Sequence, residues 1–122
     1  MIREELTQRI CQLPRDFLEV GNLSIVDLLR RTGYYDNREL LTTQGIQVYL
    51  RSHPGLLDDW IGYSEDKRTS RGWYLERNTD SKPPRYILGY LPRGEETEFT
   101  SAEVACSEFI IREVGEIAGG AP

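Results

Sequence analysis

A chain of 122 residues, 39% hydrophobic and 29% charged, is the size of one domain and carries enough apolar material to offset the entropy of ordering, which excludes wholesale disorder. Its formal net charge of −5 weighs against general affinity for nucleic acid, because phosphate binding rests on accumulated Lys and Arg. No run approaches the roughly 20 apolar residues that span a bilayer, and the opening MIREELTQRI has no apolar signal-peptide core, so the expected location is the cytoplasm.

In chain order, residues 3–13 place Leu6, Ile10 and Leu13 at helical spacing, and Pro14 disfavours continuing that helix. Ser24 and Asp27 resemble a capping arrangement before Ile25, Leu28 and Leu29, with Gly33 as the closing residue. Thr42 and Thr43 are N-cap candidates for a third helix with Ile46, Tyr49 and Leu50 inward, which ends before Ser52-His53-Pro54. Pro54 suits the first turn of a fourth helix bearing Leu56, Leu57, Trp60 and Ile61 as a stripe.

The apolar period then changes to two. Residues 72–77 and 85–91 read as strands joined by the turn-rich segment 78–84. Thr100-Ser-Ala-Glu103 reads as a capping box opening a last helix from Ser101 to about Ala118, with Cys106, Phe109, Ile110, Val114 and Ile117 inward. A two-stranded hairpin is marginal alone, so helices must cover one face, and a third strand from a loop segment is the other way to complete the sheet. The expectation is an α+β domain over residues 1–118, about five helices packed on a small antiparallel hairpin or sheet, with a flexible tail at 119–122.

Charge is unevenly divided. Residues 67–93 hold seven cations against two acids, whereas residues 94–122 hold seven acids against Arg112 alone. The basic stretch interleaves with Trp73, Tyr74, Tyr86 and Tyr90, a composition that can track phosphates and stack bases. Strand alternation limits this, since one aromatic face is needed for the core and leaves Tyr74 on the other.

No catalytic constellation is legible. His53 precedes a proline in an inter-helix loop, and nothing in the spacing brings it to Cys106 or a serine. One His and two distant Cys lack every zinc-ligand spacing, and Cys11 and Cys106 fall at apolar helix positions where a reduced thiol acts as a small hydrophobe. Asp58-Asp59 and Glu65-Asp66 are adjacent pairs, and neighbouring helical residues point about 100° apart. Neither metal nor cofactor is expected, and no catalytic residue is assigned.

The segment from Trp60 to Tyr74 sets Glu65, Asp66, Lys67, Arg68 and Arg71 between two tryptophans. Arg68 and Arg71 could engage a partner's carboxylate or phosphate beside aromatic surface. The alternative is that both tryptophans are core and the charges pair among themselves. The acidic tract Glu95, Glu96 and Glu98, with Glu108 and Glu116 on the outer face of the last helix, is the other candidate surface, suited to a basic partner.

The stretches Leu28-Leu-Arg-Arg-Thr-Gly-Tyr-Tyr35, Asp58 to Tyr74 and Ala105-Cys-Ser-Glu-Phe-Ile110 resemble small immunity proteins of bacterial toxin systems, including contact-dependent growth inhibition. The resemblance covers roughly residues 25–115. It implies a cytosolic protein that binds one toxin domain, in many systems a nuclease with a basic cleft, and blocks its active site or substrate path. Asp58, Asp59, Glu95, Glu96, Glu98, Glu108 and Glu116 are then candidate contacts by charge, with Arg68 and Arg71 secondary. A nucleic-acid-binding domain using residues 67–93 ranks next, and a small enzyme using Cys106 or His53 last.

Overall fold

The computed structural model describes residues 1–67, 71–92 and 94–119. Six α-helices and a three-stranded antiparallel sheet form an α+β fold. Helix α1 (Arg3–Cys11) buries Leu6 and Ile10 one turn apart, and the chain re-enters a helix at once, because proline is well tolerated in a first turn. Helix α2 (Leu13–Val20) carries Pro14 there and ends at Gly21, whose φ of 75° is the left-handed conformation that favours glycine. Pro14 thus stands where the first helix has ended, as expected, and opens a second one, giving six α-helices among the described residues against the expected five or so.

Helix α3 (Ile25–Arg31) is capped by Ser24, whose hydroxyl accepts the Asp27 N–H, and Gly33 follows it with φ 91°. Two short 3-10 turns, Tyr34–Asp36 and Arg38–Leu40, lead to α4 (Thr43–Ser52), capped by Thr42. Helix α5 (Gly55–Lys67) follows Pro54 and buries Leu56, Trp60, Ile61 and Ser64. The Trp60 indole N–H donates to the Cys11 carbonyl at 2.9 Å, tying α5 to the end of α1.

Strands β1 (Gly72–Asn78), β2 (Arg85–Leu91) and β3 (Glu95–Phe99) follow in sheet order β1-β2-β3. Trp73 pairs with Tyr90, Leu75 with Leu88, and Leu88 with Thr97. Alternation puts Trp73, Leu75, Tyr86, Leu88, Tyr90 and Phe99 on the side facing the helices. The third strand lies in the acidic tract of the sequence. Helix α6 (Ala102–Ile117) is central, touching α3, α4, α5 and all three strands. Its cap is Ser101, whose hydroxyl accepts the Val104 N–H at 3.2 Å, one residue later than the capping box predicts. Thr100 is instead the bend that leaves β3.

Candidate protein-binding surface

Helix α5 directs its acids to different places. Asp58 Oδ1 accepts Arg77 of β1 at 2.5 Å, whereas Asp59 Oδ2 accepts both Nε and Nη2 of Arg15 on α2, at 3.1 and 2.7 Å. The adjacent aspartates thus do not share a site. Asp59, Tyr63, Asp66 and Lys67 recur at helical spacing and form the α5 face toward α2 and α6.

At the base of this face Glu113 of α6 is buried, its side chain 4% exposed. Its Oε2 accepts the Tyr63 hydroxyl at 2.6 Å and its Oε1 accepts the Lys67 ammonium at 3.0 Å, while that ammonium also donates to the Trp73 carbonyl at 2.8 Å. Burial, reinforced by the Glu113 charge, pushes the Tyr63 phenol well up, so it stays a proton donor to the carboxylate. One turn earlier Ser64 Oγ accepts the Leu75 N–H at 2.6 Å. The end of α5 therefore satisfies backbone groups of β1 that face away from β2. At Gly72 a Cβ would stand 2.9 Å from Glu116 Oε1 and 3.1 Å from Lys67 Nζ, so glycine is what lets both side chains approach the strand.

Beside this polar knot α2 presents an apolar ridge, with Phe17 38%, Leu18 78% and Val20 43% exposed. Between the ridge and α5 lies a cleft of about 190 Å³ walled by Pro14, Phe17, Leu18 and Tyr63, with Asp59, Asp66 and Lys67 at its margin. A second depression of about 410 Å³ shares Phe17, Tyr63 and Lys67 and runs on to Ile25, Arg71, Glu116 and Ile117. The two adjoin at Phe17, Tyr63 and Lys67 as a groove with an apolar ridge on one side and charged residues at its rim.

Of the residues singled out by charge, Asp59, Asp66, Arg71 and Glu116 line this groove. Asp58 lies on the strand side of α5, and Glu65 is exposed. Glu95, Glu96 and Glu98 lie along β3; Glu98 pairs with Arg85 at 2.6 Å, and Glu96 accepts the Tyr74 hydroxyl at 2.6 Å. Glu108 bonds Arg112 at 3.3 Å. Arg68 lies outside the described residues. Lys67 turns inward to Glu113, and the alternative in which Glu65, Asp66, Lys67 and Arg68 pair among themselves involves a residue outside the described ones.

Phe17, Leu18, Val20, Tyr63 and Glu113 had no place among the sequence candidates. The signal for α2 was present, a proline in the first turn, a glycine at the end, and apolar residues at 13, 17 and 20 between them. Glu113 was legible as an acid on the core face of the last helix, four residues from both Phe109 and Ile117.

The basic hairpin is engaged within the fold. Arg77 holds Asp58 and Arg85 holds Glu98. Trp73 meets Tyr90 edge to face at 4.9 Å, with the Arg112 guanidinium 4.8 Å from the Trp73 ring centre. Tyr74, on the other side of the sheet, is 6% exposed. Cys106 and Cys11 are free, buried thiols; desolvation pushes Cys11 up to about 12 and Cys106 well above its ordinary value. A nucleophile needs the thiolate, and burial disfavours it. His53 stacks on Tyr49 at 4.1 Å with Nδ1 3.0 Å from the Tyr49 carbonyl oxygen, a helix-end contact. Among the described residues no group of three or more His, Cys, Asp or Glu could hold a metal ion, and no helix is long and apolar enough to cross a membrane. No protein-family model, curated protein or solved structure matches the chain.

Proposed function

We propose that this chain is a protein-binding inhibitor of the immunity type, which neutralises a toxin domain in the cytoplasm by covering its active site or substrate path. The observation that carries the reading is the exposed Phe17-Leu18-Val20 ridge beside a groove rimmed by Asp59, Asp66 and Glu116. An apolar centre with a polar margin is the anatomy of protein interfaces, and three exposed apolar side chains on one short helix offer surface for a partner to bury. The net charge of −5 suits a basic toxin surface, a nuclease cleft included.

Co-expression with a toxic protein, sought first among those encoded beside it, should yield a stoichiometric complex on size exclusion and abolish that protein's toxicity. A neighbour that neither binds nor is neutralised removes the reading. Salt-sensitive retention of the free protein on single-stranded DNA or RNA would instead favour the hairpin as a nucleic-acid surface.

A further inference from the structure

We propose that the cleft between α2 and α5 receives a basic amphipathic helix of the partner, seated by an apolar side chain between two cationic ones two turns apart. This rests on the protein-binding reading and gives its groove an occupant. Asp59 and Asp66 are seven residues apart on α5, which places them about 10.5 Å apart along the helix axis. Tyr63 lies between them, with Phe17 and Leu18 across the cleft. The wall is therefore apolar at its centre with a carboxylate at each end, that of Asp59 shared with Arg15. A partner helix with Arg at positions i and i+7 repeats the same spacing and places an apolar residue midway.

The local charges favour that occupant. Both bonds from Arg15 fall on Asp59 Oδ2, which leaves Oδ1 to accept from a second cation. Among the described residues no cation pairs with Asp66. Lys67, the cation at the margin, directs its ammonium inward to Glu113 and the Trp73 carbonyl. Asp16 and Glu19 on α2 add to the negative field around the ridge. A cationic helix thus meets the Asp66 carboxylate at one end of an apolar seat and the open oxygen of Asp59 at the other.

The test is a helix-stabilised peptide of about sixteen residues in an Ala/Gln background, with Arg at i and i+7 and Leu at i+3 and i+4. A second peptide has both Arg replaced by Gln. Amide chemical shifts of the 15N-labelled protein should move in residues 13–20 and 59–67 with the Arg peptide and not with the Gln peptide. Asp66→Asn should weaken binding about threefold and Leu18→Ser about tenfold, with thermal melts unchanged since both side chains are exposed. Absence of shifts there, equal binding of the Gln peptide, or variants that bind like the parent overturns the proposal. If a complex with a co-expressed toxin domain forms but survives both substitutions intact, the cleft falls and the inhibitor reading stands. If no such complex forms, that reading falls and the peptide alone decides the cleft.

Discussion

Glu113 shows how one residue can be at once costly and organising. A carboxylate removed from water is tolerated only with partners, and here a phenol and an ammonium supply them from α5. Lys67→Met keeps the stem but strips the charge, leaving Glu113 with the Tyr63 hydroxyl. It should lower unfolding free energy by about 3 kcal/mol in urea titrations, whereas a substitution at exposed Glu65 should stay within about 0.5 kcal/mol. The buried thiols set an alkaline limit. Cys11 holds its proton to about pH 12 in the fold, while the unfolded chain releases it near pH 8.5 to 9. The Cys11 contribution to stability is therefore constant below that range and falls above it, because the native state then binds more protons than the unfolded one. Cys11→Ala should make the decline between about pH 9.5 and 11 shallower by up to about 1.4 kcal/mol per pH unit, as read from chemical denaturation at each pH.

The elements are joined by side chains that reach across their ends. The ends of β1 and α5 are laced together by Ser64 and Lys67, and the outer face of the sheet is closed by a single aromatic. Tyr74 lies across Gly89, where a built Cβ would overlap its ring, and its hydroxyl reaches Glu96 on β3. One side chain from β1 thereby spans β2 to touch β3. Gly89→Ala should displace that ring and cost about 1 to 3 kcal/mol, visible as a lower urea midpoint at unchanged m-value. Such crossings give the hairpin's aromatic and basic residues roles inside the fold. Its aromatic rings and several of its cations serve the sheet, α5 and α6.

Over the whole molecule, charge and apolar surface are separated. The acids of β3 mark one edge of the sheet, and the apolar ridge of α2 lies beside the groove formed with α5 and α6. Electrostatic steering acts on encounter more than on the bound state. For the proposed complex with a toxin domain, the association rate constant in stopped-flow mixing should fall about tenfold between roughly 50 and 500 mM NaCl, with a much smaller change in dissociation. A rate indifferent to salt would remove charge from the account of recognition.

Much of the fold is written locally. Ser24 and Thr42 cap the helices they were expected to cap, Gly33 takes the left-handed conformation that ends one of them, and the 85–91 strand has the predicted bounds. These depend on neighbours within a turn or on strict alternation, so sequence determines them. Pro14 both follows the end of α1 and opens α2, and only the second role lies outside what the first helix's pattern shows. The third strand was foreseeable only in outline, since Glu95–Phe99 has no apolar alternation and becomes a strand by pairing with β2. Tertiary structure alone decided the surface. Whether Asp59 or Asp58 faces the groove, whether Lys67 turns to Glu113 or to solvent, and whether Phe17 and Leu18 are left exposed all depend on how α2, α5 and α6 pack. Those contacts join residues 44 to 50 positions apart, beyond the reach of any local pattern.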